Sequence, residues 1–479
     1  MTRYSVVGLG KLGASMAAAI ASRGFEVVGV DVNPRSVELL NEGRAPVQET
    51  DLERVIQDNF ARLRATTDYD DAVQNSDVTF IVVPTPSNDS GGFSIAYAEQ
   101  AFREIGQALA GKRDYHLVVL ASTVLPGSTR YGLIPIIEQA SGKVCGRDFG
   151  VCYSPEFIAL GSVIRDFLHP DLTLIGEFDE RAGKTLEQCY ADIMATDPPV
   201  RRMSLENAEL TKISMNAFVT MKITFANMLA TLCERIPGGD VNAVSEALGL
   251  DHRIGRSYLT GGLGFGGPCF PRDNVALGYF AREVDVADTL PLIVHSLNEV
   301  RPDVLIQRLQ PFMKPGIKVS VLGLSYKPFS HVIEQSHSTK LISRLLDLRA
   351  RVTAYDPLAG PAAHEEFGNS IRIADTTAEC LDGAEIVLVT TPDPAFRNLT
   401  SDELESADNG AILLDVWRML DPGLVASCGL RYMATGQSND DGSNATRLVG
   451  LLTNVSSHRN GAPLTGAGDL ADLNQRGTP

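Results

Sequence analysis

Along the first 160 residues, short apolar runs alternate with longer stretches of helical periodicity. The runs are YSVVGLG (4–10), EVVGVDVN (26–33), DVTFIVVPTP (77–86), YHLVVLAST (115–123) and FGVCYSPEF (149–157). Val- and Ile-rich runs spaced in this way predict a parallel sheet with helices on both faces. From about residue 318 the cadence returns as KVSVLGLSYKP (318–328), RVTAYDP (351–357), AEIVLVTTPDP (384–394), GAILLDVW (410–417) and LRYMAT (430–435). GVDVNP is answered by TAYDP, and VVPTP by VTTPDP, so a second α/β domain of similar topology is expected. Its first turn is Gly-Leu-Ser (323–325) without a full glycine fingerprint, and it should hold a nucleotide differently from the first.

Between the halves, residues 204–236 contain neither Gly nor Pro and stop before Pro-Gly-Gly. One long helix is predicted there, able to bridge two domains or to pack against a second subunit. The expected organisation is an α/β domain over 1–200, a helical dimerisation region with a glycine-rich loop over 201–305, and a second α/β domain over 306–453. The remainder, 454–479, is rich in Ser, Asn, Gly, Thr and Pro without periodicity and is expected to be a disordered tail.

A chain of 479 residues with 44% apolar and 21% charged residues is an ordinary globular composition with room for about three domains. The net charge of −17 argues against a nucleic-acid or anionic-membrane partner, while leaving room for a local basic pocket that takes a phosphate-bearing small molecule. Seven cysteines without a Cys-x-x-Cys pair indicate neither a disulfide framework nor a zinc site, and no metal is expected. A reducing cytoplasm is the simplest location. Lys11 interrupts the apolar start, and no run reaches membrane-span length.

Gly8-x-Gly10-x-x-Gly13 follows the first strand and opens a helix, and Asp31 closes the second strand 18 residues after the last glycine. Glycines permit the tight turn and close backbone approach, and the helix N-terminus stabilises a pyrophosphate. Asp31 would accept from a ribose diol and repel a 2′-phosphate, which favours NAD over NADP. A lone glycine fingerprint is weak, but strand, helix and acid agree. The fold class read from this is α/β: two Rossmann-like doubly wound parallel-sheet domains joined by a long central helix. Thr85 in VPTP and Thr123 in AST fall at C-terminal strand ends, where open sheets bind ligands, although either could simply cap a loop.

The stretch GLGFGGPCFPRDN (262–274) sets Cys269 in a loop of glycines and prolines. A free cysteine is ordinarily a small buried hydrophobe, and the other six are read that way. A loop with so few side chains should instead expose the thiol as a nucleophile and leave backbone N–H groups free for an oxyanion. Lys212 and Asn216 lie four apart, hence on one helix face. On an arbitrary helix they would be solvated, but Ile213, Met215, Phe218, Val219 and Met221 make this segment apolar. A Lys there could stabilise an alkoxide, or act as a base if burial lowers its pKa.

The fingerprint, VVPTP, STVLPGS, YSPEF, AELTKISMNAF, LGFGGPCFPRD and GLSYKP occur in the order of the UDP-glucose/GDP-mannose dehydrogenases, and over about residues 3–440 the chain resembles that family. The resemblance implies a four-electron, NAD-dependent oxidation of the C6 alcohol of a nucleotide-linked hexose to a carboxylate, with UDP-glucose as the leading substrate. It makes Cys269 the nucleophile for thiohemiacetal and thioester intermediates, and Lys212 and Asn216 the pair on the reacting oxygen. Glu156 and Asp273 become the carboxylates for water activation and for assisting Lys or Cys, and Thr123 positions a water. The implied cofactor contacts are Gly8, Gly10, Lys11, Leu12, Gly13, Asp31, Thr85, Ser122, Thr123, Glu156 and Cys269. The implied substrate contacts are Glu156, Phe157, Ile158, Lys212, Asn216, Tyr258, Phe265, Gly266, Lys327 and Arg418. Arg253 matches an arginine that enters the neighbouring subunit's site, which implies a homodimer.

Four departures touch ligand contacts: Leu160 where an acidic residue is common, Arg272 for Lys, Pro268 before the thiol, and SHVIEQS (330–336), which puts Glu334 where an arginine usually meets cofactor phosphates. Glu334 should either move the loop away or weaken NAD binding. The alternatives are another nucleotide sugar (GDP-mannose, a UDP-N-acetylhexosamine, UDP-galactose), a two-electron β-hydroxyacid-type dehydrogenase, and a non-catalytic nucleotide-sugar binder.

Overall fold

The computed structural model describes residues 1–287, 290–438 and 443–454. Of the disordered tail expected over 454–479, Asn454 is the last residue of helix Ser443–Asn454, and 455–479 lies outside the described residues. The strands of the first half are β1 (Tyr4–Val7), β2 (Val27–Val30), β3 (Leu63–Thr66), β4 (Val78–Ile81), β5 (Leu117–Leu120), β6 (Gly150–Tyr153), β7 (Thr173–Glu177) and β8 (Val200–Ser204). They form one sheet in the order β3-β2-β1-β4-β5-β6-β7-β8. Every residue of β1, β2, β4, β5 and β6 is buried, the expected state of parallel strands covered by helices on both faces. Only β7 runs against its neighbour β6.

The second sheet contains β9 (Lys318–Leu322), β10 (Arg351–Tyr355), β11 (Arg372–Ile373), β12 (Ile386–Val389), β13 (Ile412–Asp415) and β14 (Arg431–Ala434). Its order, β11-β10-β9-β12-β13-β14, repeats that of the first six strands of the other sheet. The two sheets are therefore doubly wound α/β domains, each with a switch point beside its first strand where open sheets bind ligands.

The second domain has spent its equivalent of Asp31. Asp356, at the end of β10, is buried and accepts from the N–H groups of Leu324, Ser325, Leu358 and Ala359 and from the Ser325 hydroxyl. A carboxylate so occupied braces its own turn and has little capacity left for a ribose. The difference expected from the Gly-Leu-Ser turn is thus visible in the chemistry of the strand that follows it.

The predicted long helix is present as Leu205–Cys233. Compactness divides the chain within it: residues 1–224 and 263–432 form one unit, and residues 225–262 with the described residues from 433 onward form another. In the second unit, Val241 opens helix Val241–Leu250, packs with Ala230 and Cys233, and donates its N–H to the Gly436 carbonyl at 2.8 Å. Among the described residues no helix is long and apolar enough to cross a membrane.

Candidate active site

A crevice of about 900 Å³ runs along the carboxyl ends of the first sheet. It is lined at one end by Gly8, Gly10, Lys11, Leu12, Gly13 and Asp31, and at the other by Glu156, Ile158, Lys212, Pro268, Cys269 and Arg272. Thr85, Ser122 and Thr123 line it between them.

The glycine end has the geometry a dinucleotide needs. Gly8 has φ +94°, and a Cβ there would meet the Val82 carbonyl oxygen at 2.2 Å; one on Gly13 would meet the Gly8 carbonyl oxygen at 1.8 Å. These two glycines let the turn close against β4 and the helix Lys11–Ser22 close against the turn. Gly10 is different: a Cβ would meet nothing within 4 Å, so the space above it is open for a ligand. It caps the helix without a side-chain hydrogen bond, so the orphan N–H groups of the first turn are offered to the crevice. Asp31 accepts from Leu9 N at 2.7 Å and from Asn33 N at 2.8 Å, one bond on each oxygen, and keeps lone pairs for a diol. Thr85 donates to the Thr123 carbonyl at 2.7 Å, and Ser122 Oγ donates to Val83 O, which ties the β4 and β5 loop ends together.

At the other end Cys269 is exposed and opens the helix Phe270–Glu283. Protein atoms crowd the thiol from beneath and push it above its ordinary pKa, with Asp273 adding to the rise; Arg272 and Lys212 pull it back. Lys212 is buried, and its ammonium donates to the Glu156 carbonyl at 2.7 Å and stands 4.6 Å from the Phe157 ring centroid. Desolvation lowers its pKa, opposed by Asp273, Cys269 and Glu156. The Glu156 carboxyl is pushed up to about 8 by burial, with Lys212 opposing. Asn216 donates to Asp273 Oδ2 at 2.6 Å, and Asp273 is itself raised by burial.

The loop before Cys269 is built differently from the expectation of free amides. Gly267 N donates to the Glu334 carbonyl at 3.0 Å, and Phe265 N donates to Asn298 Oδ1 at 2.8 Å, so these two N–H groups are committed. Its glycines are there for close packing: a Cβ on Gly264 would meet Asn298 Oδ1 at 2.1 Å, one on Gly266 the Gln335 carbonyl oxygen at 2.5 Å, and one on Gly267 the Tyr326 ring at 2.6 Å. The divergent 330–336 segment therefore supports the thiol loop through backbone. Glu334, with its side chain exposed, adds its negative charge to the field that raises Cys269.

The remaining expected contacts are spread more widely. Phe265 is buried and packs edge-on against Phe270, 6.4 Å between centroids. Lys327 donates to the Leu160 carbonyl, and Arg418 follows β13 with φ +57°. Tyr258, with φ +65°, and Arg253, paired with Asp251 at 2.6 Å, belong to the second compact unit.

Of two further neighbours of the site, sequence reasoning marked Arg272 only as a departure at a ligand contact and missed Glu209. Arg272 reaches from the thiol helix to the Thr85 carbonyl at 3.0 Å and stacks 4.7 Å from the Phe93 ring centroid. Glu209, fully buried one turn before Lys212, accepts from Gly127 N at 2.5 Å and Thr129 N at 2.9 Å, and so anchors the loop that carries Thr123. A charged residue inside an otherwise apolar helix face was the available signal for Glu209.

A dinucleotide crevice along the first doubly wound sheet that ends at an exposed thiol has the layout of a dehydrogenase site. Sequence profiles of the UDP-glucose/GDP-mannose dehydrogenase family match in series: the NAD binding domain over residues 2–194, the central domain over 206–300 and the UDP binding domain over 320–422. The chain belongs to the UDP-glucose/GDP-mannose dehydrogenase family, and its cofactor is NAD. It is 39% identical to a UDP-glucose 6-dehydrogenase of Haloferax volcanii over 407 residues, covering 84% of this chain and 94% of that protein. It is 34% identical to a GDP-mannose 6-dehydrogenase of Pseudomonas putida over 412 residues, covering 83% and 92%. A solved UDP-glucose dehydrogenase from the archaeon Pyrobaculum islandicum superposes with a TM-score of 0.82 at 34% identity, covering 91% of this chain and 98% of that one.

Proposed function

We propose that this protein oxidises the C6 alcohol of a nucleotide sugar to the carboxylate in two NAD-dependent steps, with UDP-glucose as substrate. The observation that carries the reading is that Cys269, Lys212 and Glu156 line the same crevice as the Gly8–Gly13 turn. NAD, when bound, supplies the acceptor for each of two hydrides.

The protein's own residues do the rest. Lys212, desolvated beside Phe157, stabilises the alkoxide as the alcohol proton passes to solvent, and loss of the first hydride from C6 turns the alkoxide into an aldehyde. The Cys269 sulfur adds to the resulting aldehyde carbon, forming a C–S bond and a hydroxyl, and the aldehyde cannot escape. Loss of the second hydride and of the hydroxyl proton leaves a thioester. Glu156 takes a proton from water, whose oxygen attacks the thioester carbon; the C–S bond breaks, releasing the carboxylate and the thiol. Asn216 and Asp273 hold each other beneath these groups and keep the helix carrying Lys212 in register with the thiol helix.

UDP-glucose leads because the relative named for it is 39% identical over 84% of this chain, against 37% over 74% and 34% over 83% for two GDP-mannose 6-dehydrogenases. Tyr258, Phe265, Gly266, Lys327 and Arg418 are proposed to face the nucleotide sugar. The domain limits 1–200, 201–305 and 306–453 belong to the same reading, as does a cytoplasmic location, which rests on seven cysteines without a Cys-x-x-Cys spacing. So does a homodimer in which Arg253 enters the neighbouring subunit's site. Its support is the apolar face of the long helix, where Leu210, Met215 and Phe218 stand exposed to solvent.

The test is NADH formation from UDP-glucose, GDP-mannose, UDP-galactose and UDP-N-acetylglucosamine in parallel. UDP-glucose is expected to be turned over with the highest kcat/KM. Turnover of another sugar alone would overturn the substrate assignment, and binding of UDP-sugars without NADH formation would favour a non-catalytic binder.

A further inference from the structure

Lys11 is the first residue of the helix that opens the dinucleotide turn, and it lines the crevice with Gly10 and Leu12. Its ammonium is met from the other α/β domain: Lys11 Nζ lies 3.1 Å from His331 Nε2. An ammonium only donates, so Nε2 is the acceptor, which makes His331 neutral with its proton on Nδ1. The contact joins the phosphate-binding turn of one domain to the loop of the other that also supports the Cys269 loop through Gly267 and Glu334.

We infer that His331 is a cofactor-side residue: with Lys11 it receives the pyrophosphate of NAD, taking up one proton as the dinucleotide binds, so that the cofactor is held more tightly as pH falls. The inference goes beyond the catalytic reading and rests only on the NAD site of the first domain.

The charges around the imidazole give the sign. Burial pushes His331 below its ordinary value and Lys11 pushes it further, while Glu49, in the loop before helix Leu52–Asp58, opposes. A pyrophosphate at the Gly10 turn places two negative charges beside the pair. Lys11 then donates to phosphate oxygen, Nε2 loses its donor, and protonation from solvent converts it into a second charge-assisted donor. Between the imidazole pKa of the free protein and that of the complex, binding takes up a proton and affinity rises as pH falls. Above and below that window affinity is flat. Glu334 supplies no cation on this loop, and His331 supplies a conditional one.

The experiment is fluorescence titration of the full-length protein with NADH, without sugar, from about pH 5.5 to 8.5, for wild type, His331→Gln and His331→Lys. In wild type the Kd at about pH 6 should be lower than at pH 8 by about threefold or more, a gain typical of one added charged donor. His331→Gln should lose that slope and bind at pH 6 as wild type does at pH 8. His331→Lys, permanently charged, should bind tightly and without slope across the range. Calorimetry in buffers of different ionisation enthalpy should show proton uptake in wild type alone. An unchanged slope in His331→Gln would overturn the inference and leave His331 as a tie between domains, even if that variant melts earlier. Failure of sugar oxidation would leave these NADH isotherms unaffected, so the two readings fail separately.

Discussion

Lys212 and Glu156 meet through the backbone. The ammonium donates to the Glu156 carbonyl at 2.7 Å, while Oε1 of the Glu156 carboxyl is buried without a hydrogen-bond partner. Chain geometry thus withholds from the carboxyl the donor that would have ionised it, and burial holds its pKa up at about 8. A carboxyl in that state exchanges a proton near neutral pH, the property that the proposed activation of water requires.

Glu156→Gln should therefore lower uronate formation by about two orders of magnitude, the usual contribution of a positioned acid or base. Its stability should move the other way. The folded pKa lies above the ordinary carboxyl value, so the folded state binds the extra proton. Stability from this site is complete below the unfolded pKa of about 4.3 and is lost as pH rises through about 8. Melting curves from pH 5 to 8 should fall more steeply for wild type than for Glu156→Gln. Equal slopes would place Glu156 in an ordinary solvated state.

Asp273→Asn separates thiol reactivity from turnover. The Asp273 charge is among the influences that raise the Cys269 thiol, so its removal should lower that pKa and speed alkylation by iodoacetamide at pH 7. Turnover should nonetheless fall, because Asn216 loses its carboxylate acceptor. Asn216→Ala, which leaves Asp273 Oδ2 buried without its donor, should cost about 1–3 kcal/mol in chemical denaturation. Slower alkylation in Asp273→Asn would contradict this electrostatic assignment.

Gly267 and Gly316 share φ +80°, but a Cβ on Gly267 would lie 2.6 Å from the Tyr326 ring, whereas one on Gly316 would meet nothing within 4 Å. Gly316→Ala should pay only the conformational term, about 1 kcal/mol. Gly267→Ala should cost clearly more and also reduce kcat by moving the thiol. Comparable melting temperatures for the two variants would show that the second domain does not press on this loop.

Much of this architecture was legible from residue pattern. The buried strands β1, β4, β5 and β12 announce themselves as Val- and Ile-rich runs, and the Gly8–Gly13 turn with Asp31 carries its own spacing. Lys212 and Asn216 share a face because four residues make about one helical turn. What escaped was structure that lacks such periodicity. β3 (LRAT) is short and alternates buried with exposed positions, and β8 (VRRMS) is a half-exposed strand with two arginines. The antiparallel course of β7 is set by long-range pairing with β6, which local sequence does not encode. The glycines around Cys269 were visible as glycines, but their cause, the approach of Tyr326 and Gln335, lies some sixty residues away in sequence. Likewise Lys11 and His331 become neighbours only once both domains are folded.

The central claim is that Cys269 carries the sugar covalently between its two oxidations, and counting NADH against uronate in wild type and Cys269→Ser tests it most directly. Wild type should form two NADH per UDP-glucose consumed, and the serine variant should retain at most about 1% of uronate formation, since a hydroxyl is a far weaker nucleophile at neutral pH than a thiol. Uronate made by Cys269→Ser at the wild-type rate, still with two NADH for each sugar, would contradict it.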